Sequence, residues 1–361
     1  MRIRSLLAGA LVLATVGPAG LTNTSAVGAP DKPTRPETVV SLTFDDGWKS
    51  QLPAADAMAA RGMVGTFYIS SSQVGYPAFL TVRELRLMEL EGHEIGGHTL
   101  THPRLTKMSP SQARYQVCSD RAGLLALKLR VTSFAYPYGV YDAAVRKLPL
   151  KCGYNSARLG WGLYPGPDRC ERVCPETENP QAYDRWLVRP VTASRFIGKG
   201  ALPRLKRAVI AAEATGGWLP LLFHHVCAPD CKDPGIALGD FKAFIAWLEQ
   251  RQPTTVVRSV DQVVSGSVRP AVGLPPFQIG GVSLVEDKIV PVTPQQRAKI
   301  LAQERKKREA RELAADAQSN TAFTIPSFDV GQVDVIVLAT GAALVGVLVY
   351  RMGSRRRRYE W

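Results

Sequence analysis

A chain of 361 residues exceeds what one ordinary domain of roughly 100–200 residues needs, and 45% hydrophobic with 21% charged residues is enough to bury a sizeable core. That balance excludes collagen-like, wholly disordered and polytopic membrane classes. The formal charge of +14 invites a nucleic-acid reading, but Arg2 and Arg4 contribute +2, residues 293–320 contribute +3 and the last eleven residues +4, which leaves +5 for everything else.

In chain order, Arg2 and Arg4 precede the apolar run Leu6 to Val16, and small residues follow up to Ala26. This predicts an export signal over 1–26, cleaved after Ala26; eleven apolar residues are short for an uncleaved anchor. A proline-rich linker, Asp31 to Pro36, leads into a main domain over 38–268. Thr38 to Phe44 is a β-branched run that predicts a buried strand. Further strands are predicted at Val64 to Ile69, Ser133 to Tyr138, Tyr154 to Leu159, Trp218 to Phe223 and Thr254 to Val260. Helices are predicted at Gln51 to Arg61, after Thr81 with Glu84 as its capping-box partner, and from Ser109-Pro110 towards Arg130. Others fall at Asp142 to Leu148, Leu202 to Glu213 and Asp240 to Gln250. Such alternation predicts a largely parallel sheet or a barrel.

Beyond the domain, 269–292 reads as a proline- and glycine-rich linker with room for short strands, and 293–318 as a charged helical stalk. Val335 to Tyr350 is uncharged and ends at Arg351 and the cluster Arg355 to Arg358. The expectation is a single transmembrane helix over 335–352 with a cytoplasmic basic tail over 353–361, a buried core helix being the alternative. The bulk of the chain would then lie outside the plasma membrane, anchored to it. Six cysteines behind an export signal predict disulfides: Cys170 and Cys174, like Cys227 and Cys231, are close in sequence, while Cys118 and Cys152 stand apart. Pairing within each close pair is preferred; a zinc site built from the two pairs is the rival.

Five histidines occur: His93, His98, His102, His224 and His225. His98 and His102 stand four apart, which on a helical turn would set both imidazoles on one face. A metal wants such a pair plus a carboxylate, with a position left open for water. Asp45 and Asp46 follow the first strand, at the end where barrels and open sheets place their sites. Two adjacent carboxylates repel unless one binds a cation, which leaves the other free as a base. Tyr136 to Gly139 predicts a tight bend able to aim a backbone N–H. His224 and His225 close another apolar strand.

The segments TFDDG at 43–47, GHEIGGHTLTH at 92–102, FAYPYG at 134–139 and LLFHHV at 221–226 together resemble the polysaccharide deacetylase (NodB-homology) family, over roughly residues 38 to 265. The resemblance implies a distorted (β/α) barrel. It further implies a divalent metal, most often zinc, held by Asp46, His98 and His102. Asp45 would be the general base, the Tyr138 backbone N–H an oxyanion donor and His224 the general acid, with His225 competing for that role; His93 would be structural. Gly97 stands where the family often has Asn. Ala135 stands where many members carry an Arg that pairs with the base, and the expectation is that Arg189 supplies this charge among the catalytic residues, with Arg158 as runner-up.

The implied activity is deacetylation of an N-acetylated polysaccharide outside the cell: chitin oligomers, peptidoglycan or poly-N-acetylglucosamine. An O-acetyl polysaccharide esterase and a non-catalytic surface carbohydrate-binding protein are the alternatives. Mere binding has no need of two aspartates and three site histidines together. No nucleic-acid partner is expected, since no basic stripe interleaved with aromatics stands out. Sequence gives no oligomeric state.

Overall fold

The computed structural model describes residues 37–164, 175–179, 183–193, 200–227 and 235–272, helical positions between 295 and 314, and two short strands near the C-terminus. The export signal expected at 1–26, nearly all of the linker and the basic tail lie outside the described residues.

Strand β1 (Thr38–Phe44) is buried at all seven positions, as a strand covered on both faces must be. It is followed by α1 (Leu52–Ala59), β2 (Gly65–Ile69), α2 (Val82–Leu90), β3 (Glu94–Gly97), α3 (Pro110–Ala126), β4 (Val131–Ala135), α4 (Leu148–Cys152), β5 (Ser156–Arg158) and β6 (Val191–Thr192). Then come α5 (Ala201–Thr215), β7 (Gly217–Phe223), β8 (His225–Cys227), β9 (Gly235–Ala237), α6 (Leu238–Glu249), β10 (Thr255–Val257) and α7 (Val260–Val264). The predicted capping box of Thr81 with Glu84 opens α2, and the predicted helix start at Ser109 is a capping box as well, with Gln112 as its partner.

The main sheet runs β5-β4-β3-β2-β1-β7-β6, with β10 as an eighth strand beside β1. Every pairing within it is parallel. One edge of β1 is shared: Thr38 to Val40 pair with β10, and Leu42 to Phe44 pair with β2. The sheet curls, and its two ends are joined by the segment 185–192. Val188 exchanges backbone hydrogen bonds with Ala157 and Leu159 of the β5 region at 3.0 and 2.8 Å, and three residues later the chain pairs with β7 as β6. The result is an incomplete, distorted (β/α) barrel whose strand C-termini open at one mouth. Phe44 stacks on Phe67 at 4.6 Å and on Phe223 at 5.3 Å, so β1, β2 and β7 are packed together just beneath that mouth.

At the opposite end Glu94 is buried and accepts hydrogen bonds from Thr66 Oγ1, Ser133 Oγ and the Asp261 N–H, which pins α7 under the barrel. Burial pushes its carboxyl pKa up, against those hydrogen bonds, and the Asp261 charge adds to the rise. A carboxyl raised in the folded state adds most stability below the unfolded carboxylate range, and that contribution is lost as pH climbs through the raised value. Glu94→Gln keeps an oxygen for the Asp261 N–H, and the Ser133 hydroxyl can turn to accept. Thermal melts from about pH 5 to about pH 8 should therefore show a flatter decline in Tm for Glu94→Gln than for the parent.

Two expectations are corrected. The run over 335–352 is not one transmembrane helix: β11 (Val335–Leu338) and β12 (Gly346–Val349) pair antiparallel. Val335, Ile336 and Val337 are β-branched or favour a pleated backbone, and no helix among the described residues is long and apolar enough to cross a membrane. The zinc alternative for the cysteines fails at Cys227, which is disulfide-bonded; Cys170, Cys174 and Cys231 lie outside the described residues. Cys118 on α3 and Cys152 at the end of α4 form a disulfide.

Candidate metal centre and active site

The mouth of the barrel holds a cavity of about 280 Å³ lined by Asp45, Asp46, His98, His102, Tyr138, Gly139, Gly160, Trp161, Thr192, Leu222 and His224. Each chemical group follows the C-terminus of a different strand. Asp45 and Asp46 follow β1, His98 follows β3, Tyr138 lies beyond β4 and His224 follows β7.

His98 Nε2 lies 3.5 Å from Asp46 Oδ1, and His102 Nε2 lies 3.4 Å from the same oxygen. One donor atom from each of the three falls within 4.8 Å of the others, the spread a single cation spans. The donor chemistry fits a divalent ion: two imidazole nitrogens and a carboxylate, with room for further ligands on the cavity side. His98 Nδ1 donates to the Ala135 carbonyl at 2.8 Å, which presents Nε2 as the ligating atom. Trp48 Nε1 donates to Asp46 Oδ2 at 3.0 Å, so Oδ1 is the oxygen turned to the histidines. Burial disfavours the charged forms, yet the His98 hydrogen bond and the nearby imidazoles hold the Asp46 carboxyl well below the usual range. For His98 burial is outweighed by Asp45 and Asp46, and its pKa rises; for His102 burial and the His98 charge prevail, and it falls to about 4.

The two histidines do not share a helix turn, as their spacing had suggested. His98 follows the end of β3, and the chain then turns through left-handed backbone at Thr99 (φ 70°) and His102 (φ 56°). Asp46 (φ 73°) and Tyr138 (φ 59°) are left-handed as well. Such positions cost about 1–3 kcal/mol each in residues with a Cβ, and a β-branched Thr is an outlier among them. Gly139 is required by space, because a Cβ there would collide with the Gly160 backbone.

Asp45 is 5% exposed and forms a buried ion pair through Oδ1 with Arg158 Nη2; its Oδ2 lies 4.0 Å from His98 Nε2. Arg158, the last residue of β5, is 1% exposed and its guanidinium carbon sits 4.8 Å over the Tyr68 ring. The expectation that Arg189 supplies this charge is therefore corrected. Arg189 binds the buried Glu178, with Nε to Oε1 at 2.9 Å, on the segment that closes the barrel. His224 and not His225 faces the cavity. His225 Nδ1 is 3.0 Å from Ser50 Oγ and its ring lies 4.5 Å from Trp48. Among the described residues the buried His224 Nδ1 has no hydrogen-bond partner. His93 accepts at Nδ1 from the Gly65 N–H and lies in the wall of the barrel, a structural role.

Sequence reasoning missed four supporting residues. Trp48 follows the aspartate pair by two positions. Gln51 donates through Nε2 to the backbone carbonyls of Asp45 (2.6 Å) and His224 (2.8 Å), tying the two strand ends that carry them. Asp120 and Tyr154 stand behind His98. The available signal for Asp120 was an acid between Val117 and Leu124 on the buried stripe of α3.

Residues 32–157 match the polysaccharide deacetylase family. Over 130 residues the chain is 30% identical to the peptidoglycan-N-acetylglucosamine deacetylase PgdA of Listeria monocytogenes, covering 34% of this chain and 26% of that protein. Over 154 residues it is 28% identical to a chitooligosaccharide deacetylase of Azorhizobium caulinodans, covering 41% of this chain and 70% of the relative. It thus spans about a quarter of the length of PgdA. Among solved structures, one described as T48 deacetylase with substrate matches at 21% identity and TM-score 0.43, over 65% of this chain and 95% of its own. The peptidoglycan deacetylase PdaC of Bacillus subtilis matches at 19% identity and TM-score 0.39, over 63% and 90%.

Proposed function

We propose that this chain, whose residues 32–157 match the polysaccharide deacetylase family, is a metal-dependent deacetylase that hydrolyses acetamide groups of an N-acetylated cell-wall or chitin-type glycan to free amine and acetate. The observation that carries the reading is the Asp46–His98–His102 cluster beside an Asp45 fixed by a buried arginine, with His224 across the same cavity.

Asp46, His98 and His102 would hold a divalent ion, with zinc the best match to two imidazoles and a carboxylate, and when bound it would supply Lewis-acid polarisation of the acetyl carbonyl. Asp45, held by Arg158, takes the proton of the attacking water at its free oxygen. The Tyr138 N–H, on a bend set by its own left-handed backbone and by Gly139, donates to the oxygen of the tetrahedral intermediate. His224, on the cavity wall across from the acid–histidine cluster, gives a proton to the departing amine. The reaction is assigned to the outside of the cell on two grounds: the signal-like Arg2, Arg4 and Leu6 to Val16, and the Cys118–Cys152 disulfide.

The test is acetate release from N-acetylated chitooligosaccharides, peptidoglycan and acetylated xylan, with and without chelator. Chelation should abolish release, and added zinc should restore it. Release from xylan alone would move the assignment to the O-acetyl esterases, and no release from any of them by folded, metal-loaded protein would reject catalysis.

A further inference from the structure

Behind the cluster, on the side away from the cavity, the buried carboxylate of Asp120 gathers three donors from three parts of the chain. Its Oδ1 accepts the Ser71 N–H just beyond β2 at 2.9 Å. Its Oδ2 accepts the His98 N–H just beyond β3 at 3.0 Å, and the Tyr154 hydroxyl just ahead of β5 at 3.4 Å. Asp120 and Tyr154 are both wholly buried. Together they fill the space a side chain at 97 would need: a Cβ on Gly97 would lie 2.6 Å from Asp120 Oδ2 and collide with the Tyr154 hydroxyl.

The disulfide sits at the same place. Cys118 is two residues before Asp120 on α3, and Cys152 is two residues before Tyr154. The covalent link thus spans the same two segments that the hydrogen bond spans, and limits how far Asp120 and Tyr154 can move apart.

We infer that Asp120 and Tyr154, braced by Cys118–Cys152, are positioning residues that fix the backbone of His98 and so set the affinity of the Asp46–His98–His102 cluster for its ion. His98 is held at several points: its N–H is shared between the Ile69 carbonyl at 2.9 Å and Asp120 Oδ2 at 3.0 Å, and its own carbonyl accepts from Ser70 Oγ at 3.2 Å. The Ala135 carbonyl orients its ring, and Asp120 anchors its main chain where the strand gives way to left-handed backbone at Thr99. Partners that bond the ligating ring itself are worth about 10–100-fold in metal affinity, and Asp120 acts one step further out, through the main chain. The inference deepens the proposed function and rests on it for the identity of the ion.

The experiment is titration of the metal-free chain with zinc alone, reading Kd by competition with a chromophoric chelator, for Asp120→Asn, Tyr154→Phe and the pair Cys118→Ser with Cys152→Ser. Tm is read on each metal-free protein. Asp120→Asn should weaken zinc by up to about 10-fold, the lower end of what a partner of the ring itself is worth. Tyr154→Phe and the serine pair should weaken it by a smaller factor, and acetate release by all three should recover at saturating zinc. A lowered Tm with unchanged Kd would mean a merely structural role and would overturn the inference. Should Asp120→Asn not fold, Tyr154→Phe decides in the same way. Unchanged Kd in the serine pair alone would remove the disulfide from the device. Because Kd is read without substrate, a chain that releases no acetate still tests this inference, and the two failures are told apart.

Discussion

Asp45→Asn should retain zinc with nearly its original affinity and lose acetate release by a factor on the order of 10²–10⁴, the ordinary contribution of a positioned general base. The argument is geometric. Asp46, not Asp45, shares an oxygen with both imidazoles, at 3.4 and 3.5 Å. Asp45 is turned towards Arg158 and stands 4.0 Å from His98. An asparagine at 45 still offers Arg158 an oxygen, so the ion site keeps its geometry while the proton acceptor is lost; the buried guanidinium is left uncompensated, so stability falls and turnover is read per folded molecule. Single-turnover acetate release, with zinc content measured on the same sample, checks it. Turnover within tenfold of the parent at full zinc occupancy would remove Asp45 from the role.

Arg158→Met should be the most destabilising change at the site. Removing one partner of a buried pair leaves an uncompensated charge, worth about 3–5 kcal/mol. Both partners here are almost wholly buried, so solvent does little to replace the arginine. The double variant Asp45→Asn with Arg158→Met should regain much of that loss, because no charge is then stranded. Denaturant midpoints for the two singles and the double give the coupling directly. Arg189→Ala, by contrast, should leave acetate release per folded molecule unchanged, since Arg189 serves Glu178 on the closing segment.

Much of the barrel was legible because parallel strands buried on both faces read as near-continuous runs of apolar and β-branched residues. Thr38 to Phe44 and Trp218 to Phe223 are such runs, and each ends directly on the acids or histidines that line the mouth. Short strands with less pattern escaped: β3 is Glu-Ile-Gly-Gly, with no alternation to detect. The metal-type residues were legible by type and spacing, but their geometry was not. A spacing of four suggests a helix turn, whereas left-handed backbone at Thr99 and His102 brings the rings to 4.8 Å apart. The choice between Arg158 and Arg189 lay beyond local pattern. Arg158 ends β5 and Arg189 follows Val188, and only the long-range hydrogen bonding of Val188 to the β5 region shows which guanidinium reaches Asp45. The tail failed for a related reason. An apolar, small-residue run is compatible with helix or strand, and length alone did not separate them.

The left-handed backbone at Asp46, Thr99, His102 and Tyr138 has a consequence for any attempt to improve this protein. Glycine at any of these positions removes the Cβ penalty, so screening for heat resistance alone would favour losing the Asp46 carboxylate and the His102 imidazole from the mouth. Robustness and reactivity are opposed at these two residues, and a variant library scored only on survival would climb steadily towards an inert barrel.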